Sequence, residues 1–289
     1  MSFAIFNEEF YLNSYPDVRN AVNAGAISSG LQHFQQFGLA EGRVNVSPYF
    51  DEGLYLLKYP DVAAAVTSRG FKSGLQHYIE TGEAEGRSPG TFNEQYYRQA
   101  HPDVAAAIAA GTFTSGLQHY IRYGQFEPSR GALFTGTTGN DTITSFGATT
   151  GISGVNADND LTIVNDDGYI NFSGGDFGRG QVDTLIGNVG LDTYYLGAGR
   201  RIGNSSVYTP EPFYIGGGNS DYALVKNFEV GKDSLVLAQG ALTAYRFLPI
   251  DNNLNISNSV GDLVAIVEGV TSLTQLPDNN FLDGVVYFG

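Results

Sequence analysis

"SGLQHY" occupies residues 73–78 and returns at 115–120, with "SGLQHF" at 29–34. Three of the chain's four histidines, His33, His77 and His119, lie in these copies. "YPDV" at 15–18 returns at 59–62 and as "HPDV" at 101–104, so the two motifs share spacings of 44 and 42 residues. "EGR" at 41–43 recurs at 85–87 and decays to "EPSR" at 127–130. Residues 1–131 are therefore one unit written three times, which is the mark of a stacked repeat array.

Each unit reads as three short helices. The first opens at Asn7, Asp51 or Asn93, whose side-chain oxygens can accept unpaired backbone N–H groups. It stops before Pro16, Pro60 or Pro102, because the residue before proline is pushed out of helical geometry. That proline suits the first turn of the next helix, where Asp17, Asp61 or Asp103 meets the positive end of the dipole. The second helix ends at Gly25, Gly70 or Gly111, and the third runs from Ser29, Ser73 or Ser115 to Gly38, Gly82 or Gly124. Equivalent histidines in stacked units stand about one helix-packing distance apart, ~8–10 Å. Metal coordination needs ring nitrogens within ~2.1 Å of one ion. The three histidines are thus expected to be structural.

This half resembles a helical repeat, "xxYLxxYPDVAxAVxxG…GLxHYxxxGxxEGR", of bacterial secreted and surface proteins. The resemblance implies an accessory or interaction module and brings no catalytic residues.

Beyond residue 131, Gly, Asn, Asp and Thr alternate with short β-branched runs such as "LTIV", "YALV" and "SLVL", the chemistry of strands and turns. "GTTGNDTIT" (136–144), "GRGQVDTLI" (178–186) and "GNVGLDTYY" (187–195) follow the pattern G-G-x-G-x-D-x-U-x, with U filled by Ile143, Leu185 and Tyr194. Aspartate and loop carbonyls are hard oxygen ligands suited to Ca²⁺, and Asp side chains also bond their own turn backbone. Both readings of these aspartates stand open at the level of sequence. The half resembles the repeats-in-toxin, or haemolysin-type, calcium-binding family, with 221–237 and 261–270 similar to the cap of cyanobacterial members. The resemblance implies a parallel roll of two nine-residue segments per coil, so that facing loops lie about 18 residues apart. Asp141 would then face Asp160, Asp183 would face Asn165 and Asp166, and Asp192 would face Arg201. Asp141, Asp160, Asp183 and Asp192 are the candidate metal ligands, for one or two Ca²⁺ ions at most, or for none.

The expected fold class is α+β in two domains: an all-α array over 1–131, and an all-β roll or solenoid with a β cap over 132–289. The chain carries 15 Lys+Arg against 30 Asp+Glu, and 17 of the acidic residues follow residue 131. Such a balance disfavours nucleic acid. Cysteine is absent, which removes disulfides, zinc–thiolate centres and cysteine nucleophiles. No run reaches the ~20 apolar residues of a membrane helix, and no cleaved signal peptide is visible at the start. No G-x-S-x-G, H-E-x-x-H, Walker or dinucleotide fingerprint occurs, and "GAGRRIG" at 197–203 lies in strand-rich chain.

The expectation is a non-catalytic structural or interaction protein of the cell exterior, exported by type I secretion on an uncleaved C-terminal signal. A carbohydrate-binding or adhesion module is the alternative reading, with surface glycans as partners. The start "FAIF", with Phe3, Ile5 and Phe6, has no partner within the array as read from sequence. It is expected to dock on the chain's own roll or on another copy, and the second course would build oligomers or filaments.

Overall fold

The structure is a computed structural model, and it describes residues 2–156, 162–164, 169–171, 176–201, 208–239, 245–277 and 284–289. The chain divides into two compact units, one of Met1–Glu94 with Pro102–Arg122, the other of Gln95–His101 with Tyr123–Gly289.

In the first unit each repeat begins with a seven-residue helix, Glu8–Ser14 or Glu52–Lys58, followed directly by an eight-residue helix, Pro16–Asn23, Pro60–Thr67 or Pro102–Ala109. Asn7 and Asp51 cap the first helices by accepting from the N–H groups of Phe10 and Leu54. The third helix is not uniform. Gly30–His33 and Gly74–His77 are α-helical and widen into π-helical turns at Phe34–Gly38 and Tyr78–Gly82. The core is aromatic and aliphatic, with Tyr11, Phe34, Tyr55, Leu75, Tyr78 and Tyr120 fully buried. "FAIF" packs into its own unit. Ile5 is buried, and the rings of Phe3 and Phe6 lie 6.0 and 5.5 Å from that of Phe34. An exposed apolar start is therefore not a feature of the molecule.

The strands are β1 (Ala132–Thr135), β2 (Thr142–Thr144), β3 (Thr149–Ser153), β4 (Thr162–Val164), β5 (Tyr169–Asn171), β6 (Val182–Ile186), β7 (Leu191–Tyr195) and β8 (Gly197–Arg201). They continue as β9 (Tyr208–Pro212), β10 (Tyr222–Lys226), β11 (Ser234–Ala238), β12 (Arg246–Ile250), β13 (Asn253–Ser257), β14 (Leu263–Val267) and β15 (Val285–Phe288). One sheet has the order β1-β3-β7-β11-β15 and another β12-β13-β14-β10-β6-β2. Their central pairs are parallel, while β15, β12 and β13 join antiparallel. β4–β5 and β8–β9 form separate antiparallel pairs.

This overturns the expected α+β chain ending in an all-β roll. The architecture is α/β-like, helices with mixed sheets founded on parallel strands. Among the described residues there is neither a closed barrel nor a regular solenoid. An 18-residue offset occurs between β1 and β3, where Ala132 pairs with Thr150. Elsewhere the parallel partners lie much further apart, as in Thr142 with Thr184 and Ala223 with Ala265. The reason is local pairing. "TIV" and "YIN", like "GAGRR" and "YTPEP", bond each other across short connections instead of extending a neighbouring sheet. The second unit also includes the helical segment Gln95–His101, anchored where His101 Nε2 donates to the carbonyl of Gly131 at 3.0 Å.

Candidate functional site

Along a strand, residues two apart share a face. In "DTLI" and "DTYY" the aspartate stands two before the inward apolar residue, so its carboxylate enters the core with it. Asp183 and Leu185 are both fully buried, as are Tyr194 and, at 1% exposure, Asp192. A buried carboxylate is tolerated only with hydrogen-bond partners, and the chain supplies them in a repeated scheme. One oxygen accepts from the backbone four residues earlier: Thr137 N–H to Asp141 Oδ2 (2.5 Å), Asn188 N–H to Asp192 Oδ2 (2.8 Å) and Glu229 N–H to Asp233 Oδ2 (2.8 Å). The other oxygen reaches the neighbouring strand. Asp141 N–H donates to Asp183 Oδ1 (2.8 Å), and Asp192 N–H donates to Asp233 Oδ1 (3.0 Å). Glycine makes the room: a Cβ at Gly136 or Gly187 would lie 2.6 or 2.7 Å from the carboxylate of Asp141 or Asp192.

Hydroxyls complete the set. Tyr214 donates to Asp183 Oδ2 (2.7 Å), and Asp192 Oδ1 accepts from Ser145 (3.0 Å) and from Thr150. Burial pushes the Asp183 carboxyl up to about 6, against the lowering effect of its donors from Asp141 and Tyr214. Burial raises Asp192 and Asp233 likewise.

Of the four sequence-derived ligand candidates, Asp141 and Asp183 are brought together through the Asp141 amide, whereas Asp192 belongs to a second set with Asp233. Asp160, like Asn165 and Asp166, lies outside the described residues. Asp192 sits beside Thr150 in the sheet, while Arg201 pairs along the backbone with Tyr208. The donor chemistry at Asp183 and Asp192 does not suit Ca²⁺, which gathers about 6–8 oxygens around itself. N–H and O–H protons point at these carboxylates where a cation would have to stand. Among the described residues, no group of three or more His, Asp or Glu side chains is placed to hold a metal ion. Sequence reasoning missed Asp233, Tyr214 and Asp221, whose Oδ2 accepts from the Gly180 N–H at 3.0 Å. A search for Asp two residues before an inward apolar position would have found Asp221 and Asp233, in "SDYA" and "KDSL".

The histidines are also engaged. Tyr11 OH lies 2.9 Å from His33 Nδ1, and Tyr55 OH lies 2.9 Å from His77 Nδ1. Glu8, Glu52 and Glu94 each accept from two backbone N–H groups opening the third helix of their repeat. Arg43 and Arg87 grip Asp17 and Asp61 with paired bonds of 2.7–2.9 Å, stacked 4.8 Å over Tyr15 and Tyr59.

The second unit carries a cleft of about 520 Å³, bordered by Pro128, Ala148, Val189, Leu191 and Lys232. Val189 is 89% exposed and Leu191 48%. Lys232 turns its ammonium onto the Val189 carbonyl and Glu229.

Compared with family models, curated proteins and solved structures, the chain matches none of them.

Proposed function

We propose that the protein is a non-catalytic structural and interaction protein of the cell exterior. The observation that carries this reading is the use of its reactive side chains. His33, His77, Asp183, Asp192 and Asp233 each hold chain to chain, with their acceptors facing N–H or O–H groups of the same unit. The second unit exposes the apolar side chains Val189, Leu191 and Val230, and exposed apolar surface around a cleft favours binding over chemistry. Absence of thiols and strong acidity suit an exported chain.

A carbohydrate-binding or adhesive role is the second reading. Tyr123 and Phe126 are 52% and 72% exposed and flank cleft residue Gln125 in sequence. Aromatic rings exposed to this extent can present a face to a sugar ring. Glycan-array binding and turnover assays on the full chain, with Val189→Asp and Leu191→Asp beside it, test the proposal. Binding to glycan or to a second protein that both variants abolish, without turnover, is expected. Turnover of any glycan would overturn the non-catalytic reading.

A further inference from the structure

The two large sheets differ in what their faces meet. In β1, β3 and β11 nearly every residue is buried, on either face. In β6, β10 and β13 buried positions alternate strictly with half-exposed ones. Leu185, Ala223, Val225, Leu254 and Ile256 are the buried set of this second sheet. Its outward residues stand in register: Leu248, Asn255, Ile266, Leu224, Thr184 and Thr142 form one row across all six strands.

A sheet face left to water is normally polar. This one is largely apolar. Val182 and Tyr222 lie to one side of the row, Ile186 and Ile250 to the other, and Leu248 and Ile250 are 58% and 44% exposed. Among the described residues, its charged side chains are Arg246 and the ion pair of Lys226 with Glu268, 3.6 Å apart. The face thus carries no negative excess in a chain of net charge −15. The edges of the sheet are blunt: β2 has three residues, and β12 carries Pro249, which has no N–H for an added strand.

We propose that a second copy of this chain covers the face, sheet against sheet, in a two-fold dimer. Six strands of about five residues span ~29 Å by ~16 Å, or roughly 470 Å² per copy before side-chain relief is counted. For a pair this approaches the ~1,000 Å² of a specific interface. Most of the surface of so acidic a chain repels its copy, whereas two of these faces meet without that repulsion. Such a contact uses the same patch on both copies and closes at two. It involves none of the cleft residues, so it stands or falls apart from the binding role assigned to them.

The test follows the full chain by sedimentation over a range of concentrations. A monomer–dimer equilibrium is expected, tightened by added salt, which screens the charge carried elsewhere. Leu248→Glu puts a charge into the apolar contact and should weaken the dimer roughly tenfold or more. Leu224→Lys should do the same, while Val189→Asp in the cleft should leave the dimer intact. If Leu224→Lys does not fold, Leu248→Glu decides, since that side chain is largely exposed in the single chain. The absence of cysteine allows one Thr184→Cys as a reporter within the row, and its alkylation should slow as the dimer forms. A chain that stays monomeric at every concentration and salt would overturn the proposal. So would a dimer indifferent to Leu248→Glu, or one in which Thr184→Cys reacts unhindered. Monomers that float with lipid vesicles through Leu248 would assign the face to a membrane surface and overturn it equally.

Discussion

A tyrosine hydroxyl against a histidine ring explains a glycine five residues further on. Tyr55 OH and His77 Nδ1 meet where a Cβ on Gly82 would sit, and Tyr11, His33 and Gly38 repeat the arrangement. The π-helical turn brings the histidine and the glycine five places on into register, which an α-turn would not do. Tyr55→Phe leaves the buried His77 nitrogen unpaired, so a loss of about 1–3 kcal/mol in urea unfolding is expected. Gly82→Ala should cost more, because the new methyl group displaces the hydroxyl itself; a smaller loss than for Tyr55→Phe would refute this account. Burial lowers the His77 imidazole below its ordinary value. The neutral ring is therefore favoured in the folded chain at neutral pH, the form whose Nδ1 is able to accept from the tyrosine hydroxyl.

At the level of elements, the deletion of residues 2–6 separates two ideas. Were this start an exposed docking patch, its removal would disperse oligomers and leave the fold intact. Because Ile5 is buried and Phe3 and Phe6 pack on Phe34, deletion should instead lower the melting temperature of the helical unit. Losing one fully buried side chain of this size costs about 1.5–3 kcal/mol. An unchanged melt would contradict the packing. Much of this unit can be read in the sequence, since Asn7, Asp51, Ser29 and Ser73 act within three residues of themselves as caps. The strand unit is legible only in part. "DTLI" and "DTYY" declare their strands, but the partner that receives Asp141 N–H is Asp183, which no local pattern identifies. The insertion of β4–β5 and of β8–β9 depends on which strands win the competition for edges, and periodicity carries no information on that.

For the molecule as a whole, the two units should answer acid in opposite directions. In the helical unit Arg43 holds the Asp17 carboxyl down to about 2, and Arg87 lowers Asp61. A carboxylate whose folded value is depressed adds stability above its unfolded value, near 4, and loses it as pH falls toward 2. His77 acts in the same sense, because its unfolded form takes up a proton below about 6.5 that the folded form resists. Asp183 has the reverse sign. Its value is raised from 3.8 to about 6, so the folded strand unit binds the proton more tightly and gains stability as pH falls from 6 to 4. That gain is roughly 3 kcal/mol for a fully buried group. Melts between pH 7 and 4 should show the strand transition rising while the helical one falls. Asp183→Asn should abolish the rise, and two transitions moving together would refute the assignment.

The staples of the helical unit close short loops. Tyr11 reaches His33 and Arg43 reaches Asp17 across 22 and 26 residues, within one repeat. In the strand unit, Asp141 and Asp183 are 42 residues apart. Chains that close local contacts fold faster than those awaiting distant parallel pairing. After dilution from denaturant, helical signal should therefore recover in a fast phase, and the strand unit should follow in a slower one. During that interval the unpaired edges of β10 and β11 are open to other chains, so refolding yield should fall with protein concentration even where the native protein stays in solution.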